Sequence, residues 1–173
     1  MSREITTSEI QKKICKEEVL KGNIPCENIG HFVGEHDVLS ILKSGLIAEY
    51  EVKVSRSDFI ADAKKDKWKH HELEIFDNLP NYFYYACPIG LISTEEIPNY
   101  SGLVYVSKNG VEVVKRPKKI HSIKHEQPRL LKKMCRIKSE RKYLGCALLT
   151  YNNNKIKERN KATSTKNNQN QHH

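Results

Sequence analysis

The stretch Glu35-His36-Asp37-Val38-Leu39-Ser40-Ile41-Leu42, Lys43-Ser44-Gly45, Leu46-Ile47-Ala48-Glu49-Tyr50-Glu51-Val52-Lys53-Val54 decides the fold, because its two apolar runs must pair across a short loop. With Ser44-Gly45 as a two-residue turn, Asp37 would face Val52 and the acidic residues of the two strands would point to opposite sides. With Lys43-Ser44-Gly45 as a type I turn followed by a left-handed residue, glycine occupies the position that needs positive φ. Residue 42 then pairs with 46, and 37 with 51. Alternation in that register puts Val38, Ser40, Leu42, Leu46, Ala48, Tyr50, Val52 and Val54 on one face, and Asp37, Leu39, Ile41, Ile47, Glu49, Glu51 and Lys53 on the other. The first face is core. The second is apolar near the turn and charged at its far end, where Asp37 and Glu51 are expected opposite each other at about 5 Å between β-carbons.

Like charges so placed oppose folding unless a divalent cation lies between them. Two carboxylates, a backbone carbonyl and waters form the partial oxygen shell that suits Mg²⁺. A solvated outer face balanced by lysines is the plainer explanation of these charges. It is weakened here because a sheet in an α/β layer buries both faces. A carboxylate pair with an ammonium two residues away can cleave phosphodiesters: the metal lowers the pKa of a bound water, and Lys53 orients that water or stabilises the developing charge.

Working outward, Ile5, Ile10, Ile14 and Val19/Leu20 recur at helical spacing over residues 4–21, and Gly22 with Pro25 stops the pattern. Strands are expected at 29–33, 37–42 and 46–54, as a meander. Ser55-Arg56-Ser57-Asp58 fits a capping box that opens a helix to about residue 72. Residues 82–87 resume the sheet, 91–98 are irregular, and 103–107 with 111–115 form a hairpin across Asn109-Gly110. A last helix is expected over 130–149. Residues 1–150 therefore read as one α/β domain, and the Asn/Lys/Gln-rich residues 151–173 as a disordered tail.

The 173 residues are about one domain's worth, with Leu, Ile, Val and Phe numbering 43, enough for a modest core. Residues 1–111 hold 13 basic and 17 acidic side chains, whereas 112–173 hold 17 basic and 4 acidic ones, so the charge is polarised along the chain. That excess favours a polyanion partner, nucleic acid or an acidic membrane surface. No run is long enough to span a membrane, and the polar start lacks a signal peptide's apolar core. The five scattered cysteines read as reduced, and the expected location is cytoplasmic, in a bacterial cell or a phage-infected host.

Asp37, a hairpin turn and Glu51-Val52-Lys53 resemble the PD-(D/E)XK, or restriction-endonuclease-like, nuclease superfamily. The order of expected elements is similar to its αβββαβ core over residues 5–90, a mixed central sheet flanked by helices, here followed by a β-hairpin and a C-terminal helix. Val54-Ser55-Arg56-Ser57-Asp58-Phe59, Cys87-Pro88, Gly90-Leu91-Ile92 and Gly102-Leu103-Val104 look like the MmcB-like DNA-repair and bacteriophage branch. The resemblance implies that Asp37 and Glu51 ligate Mg²⁺, or Mn²⁺ in its place, that the Val52 carbonyl assists, and that Lys53 is catalytic. His36 stands where the superfamily's motif has proline. Some members add a first-helix glutamate, and Glu9, Glu17 and Glu18 are candidates, Glu9 or Glu17 foremost.

For DNA, Arg56, Lys64 and Lys67 fall near one stripe of the Ser55 helix, and Ser57 with the free amides at its start could hold a phosphate. Lys115, Arg116, Lys118 and Lys119 open the basic block. Each phosphate so neutralised steepens the salt dependence of binding by about 0.9 in log–log slope on duplex DNA. His121 and His125 make a metal pair only if helical. Of Phe83, Tyr84 and Tyr85, at most one is expected to face a substrate. The expectation is a metal-dependent deoxyribonuclease acting on double-stranded or branched DNA in repair, recombination or phage DNA processing. Its alternative is a non-catalytic nucleic-acid-binding module on the same fold. Cleavage mode, DNA against RNA and oligomeric state, a homodimer included, stay open.

Overall fold

The first helix begins where a side chain can satisfy its free amides. Thr6 Oγ1 accepts the Glu9 amide at 3.3 Å while Glu9 Oε2 accepts the Thr6 amide at 2.8 Å, a complete capping box. Helix α1 (Thr7–Leu20) then presents Ile10, Gln11, Ile14 and Glu18 as its buried stripe. It ends in a Schellman motif, with the Gly22 amide on the Val19 carbonyl at 2.8 Å and the Asn23 amide on the Glu18 carbonyl at 2.9 Å. This computed structural model describes residues 4–32, 34–62, 79–139 and 141.

Six strands follow in one mixed sheet: β1 (Ile24–Gly30), β2 (Glu35–Ile41), β3 (Ile47–Val52), β4 (Tyr82–Pro88), β5 (Gly102–Ser107) and β6 (Gly110–Lys115). Helix α2 (Arg56–Asp62) lies between β3 and β4 in sequence, and α3 (Gln127–Ser139) follows β6. The strands lie in chain order, β1 to β6. β1–β2–β3 is an antiparallel meander, β4 joins β3 in parallel and β5 joins β4 in parallel, and β6 returns antiparallel to β5. The result is a mixed α/β fold whose sheet is flanked by helices. The chain divides into two compact units, Met1–Leu130 and Leu131–His173, and the sheet belongs to the first.

All six residues of β3 are buried, so both faces of the sheet centre are covered. On one face Val38, Ala48, Tyr50, Val52, Ala86 and Val104 pack with Ile10 and Ile14 of α1. On the other, Phe83, Tyr85, Cys87, Ile92 and Leu103 pack together, with Phe59 of α2 against them. Each fully buried aliphatic side chain contributes roughly 1.5–3 kcal/mol. Asn81, wholly buried, ties the sheet to the segment after β6: its Oδ1 accepts the Ile47 amide at 2.7 Å, and its Nδ2 donates to the carbonyls of His121 at 3.0 Å and Ile123 at 2.9 Å.

Several expected boundaries shift. The first strand is Ile24–Gly30, not 29–33, because Pro25, which lacks an amide hydrogen, is tolerated on this edge strand, and Phe32 at φ +46° turns the chain away. The β5–β6 pairing Ser107↔Gly110 makes Lys108-Asn109 the turn, one residue earlier than expected, and Ser107 Oγ accepts the Asn109 amide at 3.2 Å. The last helix starts at Gln127, three residues early. The remainder of the Ser55 helix, with Lys64, Lys67 and Trp68, the end of the last helix, the boundary at 150 and the tail lie outside the described residues. Among the described residues, no helix is long and apolar enough to cross a membrane.

Candidate functional site

The β2–β3 hairpin adopts the three-residue-loop register. Ile41 pairs with Ile47, Ser40 with Ala48, Leu39 with Glu49 and Val38 with Tyr50. The Leu42 amide donates to the Leu46 carbonyl at 2.8 Å, and Gly45 sits at φ +81° as the loop requires. A methyl group there would also come within 2.5 Å of Gln127 Nε2.

Beyond Val38 the pairing changes character. Asp37 Oδ2 accepts the Val52 amide at 2.8 Å, and Oδ1 accepts Gln11 Nε2 at 3.2 Å. The same Gln11 amide donates to Asn28 Oδ1 at 2.7 Å, and Asn28 has φ +48°, which interrupts β1 at the rung where it would meet Asp37. Strict alternation therefore fails at this end. Asp37 is held from the α1 side, not simply set beside Glu51 on the opposite face. His36 is buried, with Nε2 donating to the His31 carbonyl at 2.6 Å and Nδ1 3.0 Å from Glu49 Oε1, close enough for an ion pair but off the hydrogen-bonding direction.

Glu51 and Lys53 do share a face and touch. Lys53 Nζ donates to Glu51 Oε1 at 2.8 Å, with the two side chains 2% and 6% exposed, so the ion pair lies in a low-dielectric interior. Asp58 Oδ1 of α2 is 3.8 Å from the same ammonium. The Lys53 amide donates to the Ala86 carbonyl at 2.9 Å, which fixes the backbone of the pair against β4. Desolvating an ammonium and a carboxylate carries a penalty of several kcal/mol per ion, which their attraction offsets only with good geometry. A charge pair kept there against that penalty marks a site candidate.

The first-helix glutamates fall elsewhere. Glu9 closes the capping box with Thr6. Glu17 is half-buried on α1. Glu18, 2% exposed, accepts from Ser40 Oγ at 2.9 Å, Asn23 Nδ2 at 2.8 Å and Lys21 Nζ at 3.0 Å. Among the described hydrogen bonds, the α1 side chain that reaches Asp37 is Gln11, a residue the sequence reading did not single out. The signal was present, because Gln11 borders the Ile10, Ile14, Glu18 stripe that faces the sheet.

Of the expected polyanion contacts, Arg56 has protein partners: its two terminal nitrogens donate to both oxygens of Glu96, and one also reaches the Leu91 carbonyl at 3.0 Å. Ser55 Oγ accepts the Asp58 amide at 3.2 Å, which caps α2, and Ser57 Oγ lies 3.0 Å from it. Lys115 Nζ donates to the Pro98 carbonyl at 3.3 Å, while Arg116, Lys118 and Lys119 are exposed. His121 and His125 are not helical. His121 Nε2 donates to the Leu79 carbonyl at 3.0 Å, and its Nδ1 lies 3.2 Å from Asn81 Nδ2, whose two hydrogens go to the His121 and Ile123 carbonyls. Of Phe83, Tyr84 and Tyr85 on β4, Phe83 and Tyr85 are core, and Tyr84 is half-buried on the α1 face.

The Arg56–Glu96 pair gives a direct pH prediction. The guanidinium and the Ser93 amide hold the Glu96 carboxyl down at about 2, against an ordinary 4.5. Its folded-state pKa is depressed, so its stabilisation is present above the ordinary value and is lost as pH falls from there through about 2. Carboxyl-carbon NMR of the folded protein should give that low midpoint, and Arg56→Ala should return it towards 4.5. An unchanged midpoint in the variant would refute the assignment.

Whether these residues suit a divalent ion turns on donor type and number. Among the described residues, no three His, Cys, Asp or Glu side chains are grouped to hold a metal. Asp37 and Glu51 nonetheless supply hard oxygen donors, and the Val52 amide that anchors Asp37 immediately follows Glu51 in the chain. Mg²⁺ keeps several waters and is held by one or two carboxylates together with substrate phosphate oxygens. The pair fits that requirement in kind.

No family model matches this chain, and no curated protein matches it. Among solved structures it is similar to SPO1766, a protein of unknown function from Silicibacter pomeroyi, at 21% identity and a TM-score of 0.60, over 80% of this chain and 90% of that one. That likeness concerns the fold.

Proposed function

We propose that the protein is a metal-dependent nuclease that hydrolyses DNA phosphodiester bonds on a restriction-endonuclease-like core, with Asp37, Glu51 and Lys53 as its site. The observation that carries this reading is the buried Lys53–Glu51 pair, placed by the hairpin register at the end of β3 where Asp37 is anchored to the Val52 amide. The element order α1, β1, β2, β3, α2, β4 supports the core assignment. Asp37 and Glu51, with the Val52 carbonyl, would hold Mg²⁺ or Mn²⁺, which when bound acidifies water and polarises a phosphoryl oxygen.

The chain's own residues do the rest. Gln11 and the Val52 amide fix the Asp37 carboxylate, so its oxygens are oriented before substrate arrives. Lys53, oriented by Glu51, supplies a positive charge where the pentavalent phosphate accumulates negative charge, or a donor that positions the attacking water. Arg116, Lys118 and Lys119, exposed after β6, supply backbone contacts that bind DNA without reading its sequence.

One observation favours a second reading, a non-catalytic nucleic-acid-binding module: Lys53 and Glu51 satisfy each other directly. Purified protein incubated with Mg²⁺ and linear, single-stranded or branched DNA separates the two. Cleavage by the unmodified protein that is lost in a folded Asp37→Ala variant supports the nuclease. Salt-sensitive binding without cleavage, indifferent to Mg²⁺ and to Asp37→Ala, supports the module.

A further inference from the structure

The Arg56–Glu96 pair ties α2 to the connection between β4 and β5, and the proposed reaction does not use it. Arg56 Nη1 donates to Glu96 Oε2 at 3.0 Å, and Nη2 donates to Oε1. The two planar groups meet fork to fork, the geometry in which a guanidinium also takes two oxygens of a phosphate. Contacts that do not involve Glu96 hold the fork from behind. Nη1 also donates to the Leu91 carbonyl at 3.0 Å, and the guanidinium carbon lies 5.5 Å from the centre of the Phe59 ring. Phe59 is in turn edge-on to Tyr85, with centroids 5.3 Å apart. Arg56 is thus oriented by groups that stay in place when the carboxylate leaves.

The pair lies at the same end of the sheet as the proposed site. Lys53 follows β3, and its ammonium is 3.8 Å from Asp58, two residues beyond Arg56 in α2. Leu91 follows β4, its amide donating to the Pro88 carbonyl at 3.1 Å. β3 and β4 are parallel with Val52 paired to Ala86, so Lys53 and Leu91 both lie past the C-terminal ends of these strands. Ligands of open α/β sheets bind outside those ends. The two ion pairs there differ in access: Lys53 and Glu51 are 2% and 6% exposed, whereas Arg56 and Glu96 are 47% and 35% exposed. An exposed pair contributes little to stability, so a competing anion displaces Glu96 at small cost. The β4–β5 connection has other anchors, because Ile92 and Ile97 are buried and the Tyr105 hydroxyl donates to the Ile92 carbonyl at 2.7 Å.

We propose that Glu96 is a built-in stand-in for a backbone phosphate: it fills the Arg56 fork in the free protein and gives it up to a DNA strand entering the site. The inference rests on the proposed function for its ligand, DNA, and not for cleavage. It makes Glu96 a brake on binding and Arg56 the phosphate contact that the brake covers.

Fluorescence anisotropy of the full chain with labelled duplex and single-stranded DNA, in EDTA so that no cleavage intervenes, tests it. Glu96→Gln keeps an oxygen for Arg56 but loses the charge, and should bind about threefold or more tighter than the unmodified protein, within the scale of an exposed pair. Glu95→Gln removes the same charge one residue away, from a carboxylate that accepts from Thr94 and not from an arginine, and should leave affinity nearly unchanged. Arg56→Ala should weaken binding, flatten its salt dependence by about 0.9 in log–log slope on the duplex, and abolish the gain of Glu96→Gln in the double variant. Tighter binding by Glu96→Gln with no Mg²⁺-dependent cleavage by any form would uphold this inference and remove the nuclease. Unchanged or weaker binding by Glu96→Gln, an equal gain in Glu95→Gln, a gain that survives Arg56→Ala, or no DNA binding by any form would overturn it, and the pair would then be only a staple between α2 and the β4–β5 connection.

Discussion

Lys53→Met should lose DNA cleavage by about 10²–10³-fold, the scale seen when a transition-state charge stabiliser is removed, and should also destabilise the fold. Lys53 is 2% exposed and bonded to Glu51, so truncating it leaves a carboxylate buried without its ammonium. Breaking a buried pair from one side costs about 3–5 kcal/mol. Loss of activity in this variant alone would therefore be ambiguous. The double variant Glu51→Met, Lys53→Met removes both charges and fills the space with apolar side chains, and such replacements are often neutral or stabilising. The expected pattern is a low Tm for the single variant, a Tm near that of the unmodified protein for the double variant, and no cleavage by either. A double variant that folds well and cuts DNA would remove this pair from the reaction.

Asp37→Asn should separate chemistry from stability more cleanly. Asparagine keeps an oxygen for the Val52 amide, and its NH₂ group keeps the Gln11 contact once the Gln11 and Asn28 amides both reverse, because Gln11 Nε2 also donates to Asn28 Oδ1. The stability change should stay within about 1 kcal/mol. The lost negative charge, by contrast, weakens metal binding. Changes to residues that merely orient a metal ligand reduce affinity or activity about 10–100-fold, and loss of a ligand charge should fall at or beyond the upper end of that range. Urea unfolding beside a cleavage assay reads both. Equal cleavage by Asp37→Asn and the unmodified protein would exclude Asp37 as a ligand.

The hairpin was legible because two local rules agreed. Gly45 marked the left-handed position of the loop, and the apolar alternation of 38–42 with 46–52 allowed only one register that buries Val38, Ala48 and Tyr50 together. The same register put Glu51 and Lys53 on a covered face, and the structure buries both. The reading was least accurate where side chains replace backbone pairing. At Asp37 the carboxylate itself accepts the Val52 amide, and Asn28 adopts a left-handed conformation that no alternation rule anticipates. Gln11 was missed because attention to metal ligands favours glutamates, whereas what Asp37 receives from α1 is a hydrogen-bond donor. Arg56 looked like a phosphate contact because Glu96, 40 residues away, is joined to it only by the fold.

The most direct test of the central claim is a crystal structure with Mn²⁺, whose anomalous signal locates the ion independently of any substrate. The account predicts an ion ligated by Asp37 and Glu51, with Lys53 within reach of a metal-bound water. Mn²⁺ bound elsewhere, with Asp37 still on Gln11 and the Val52 amide and Glu51 still on Lys53, would contradict it.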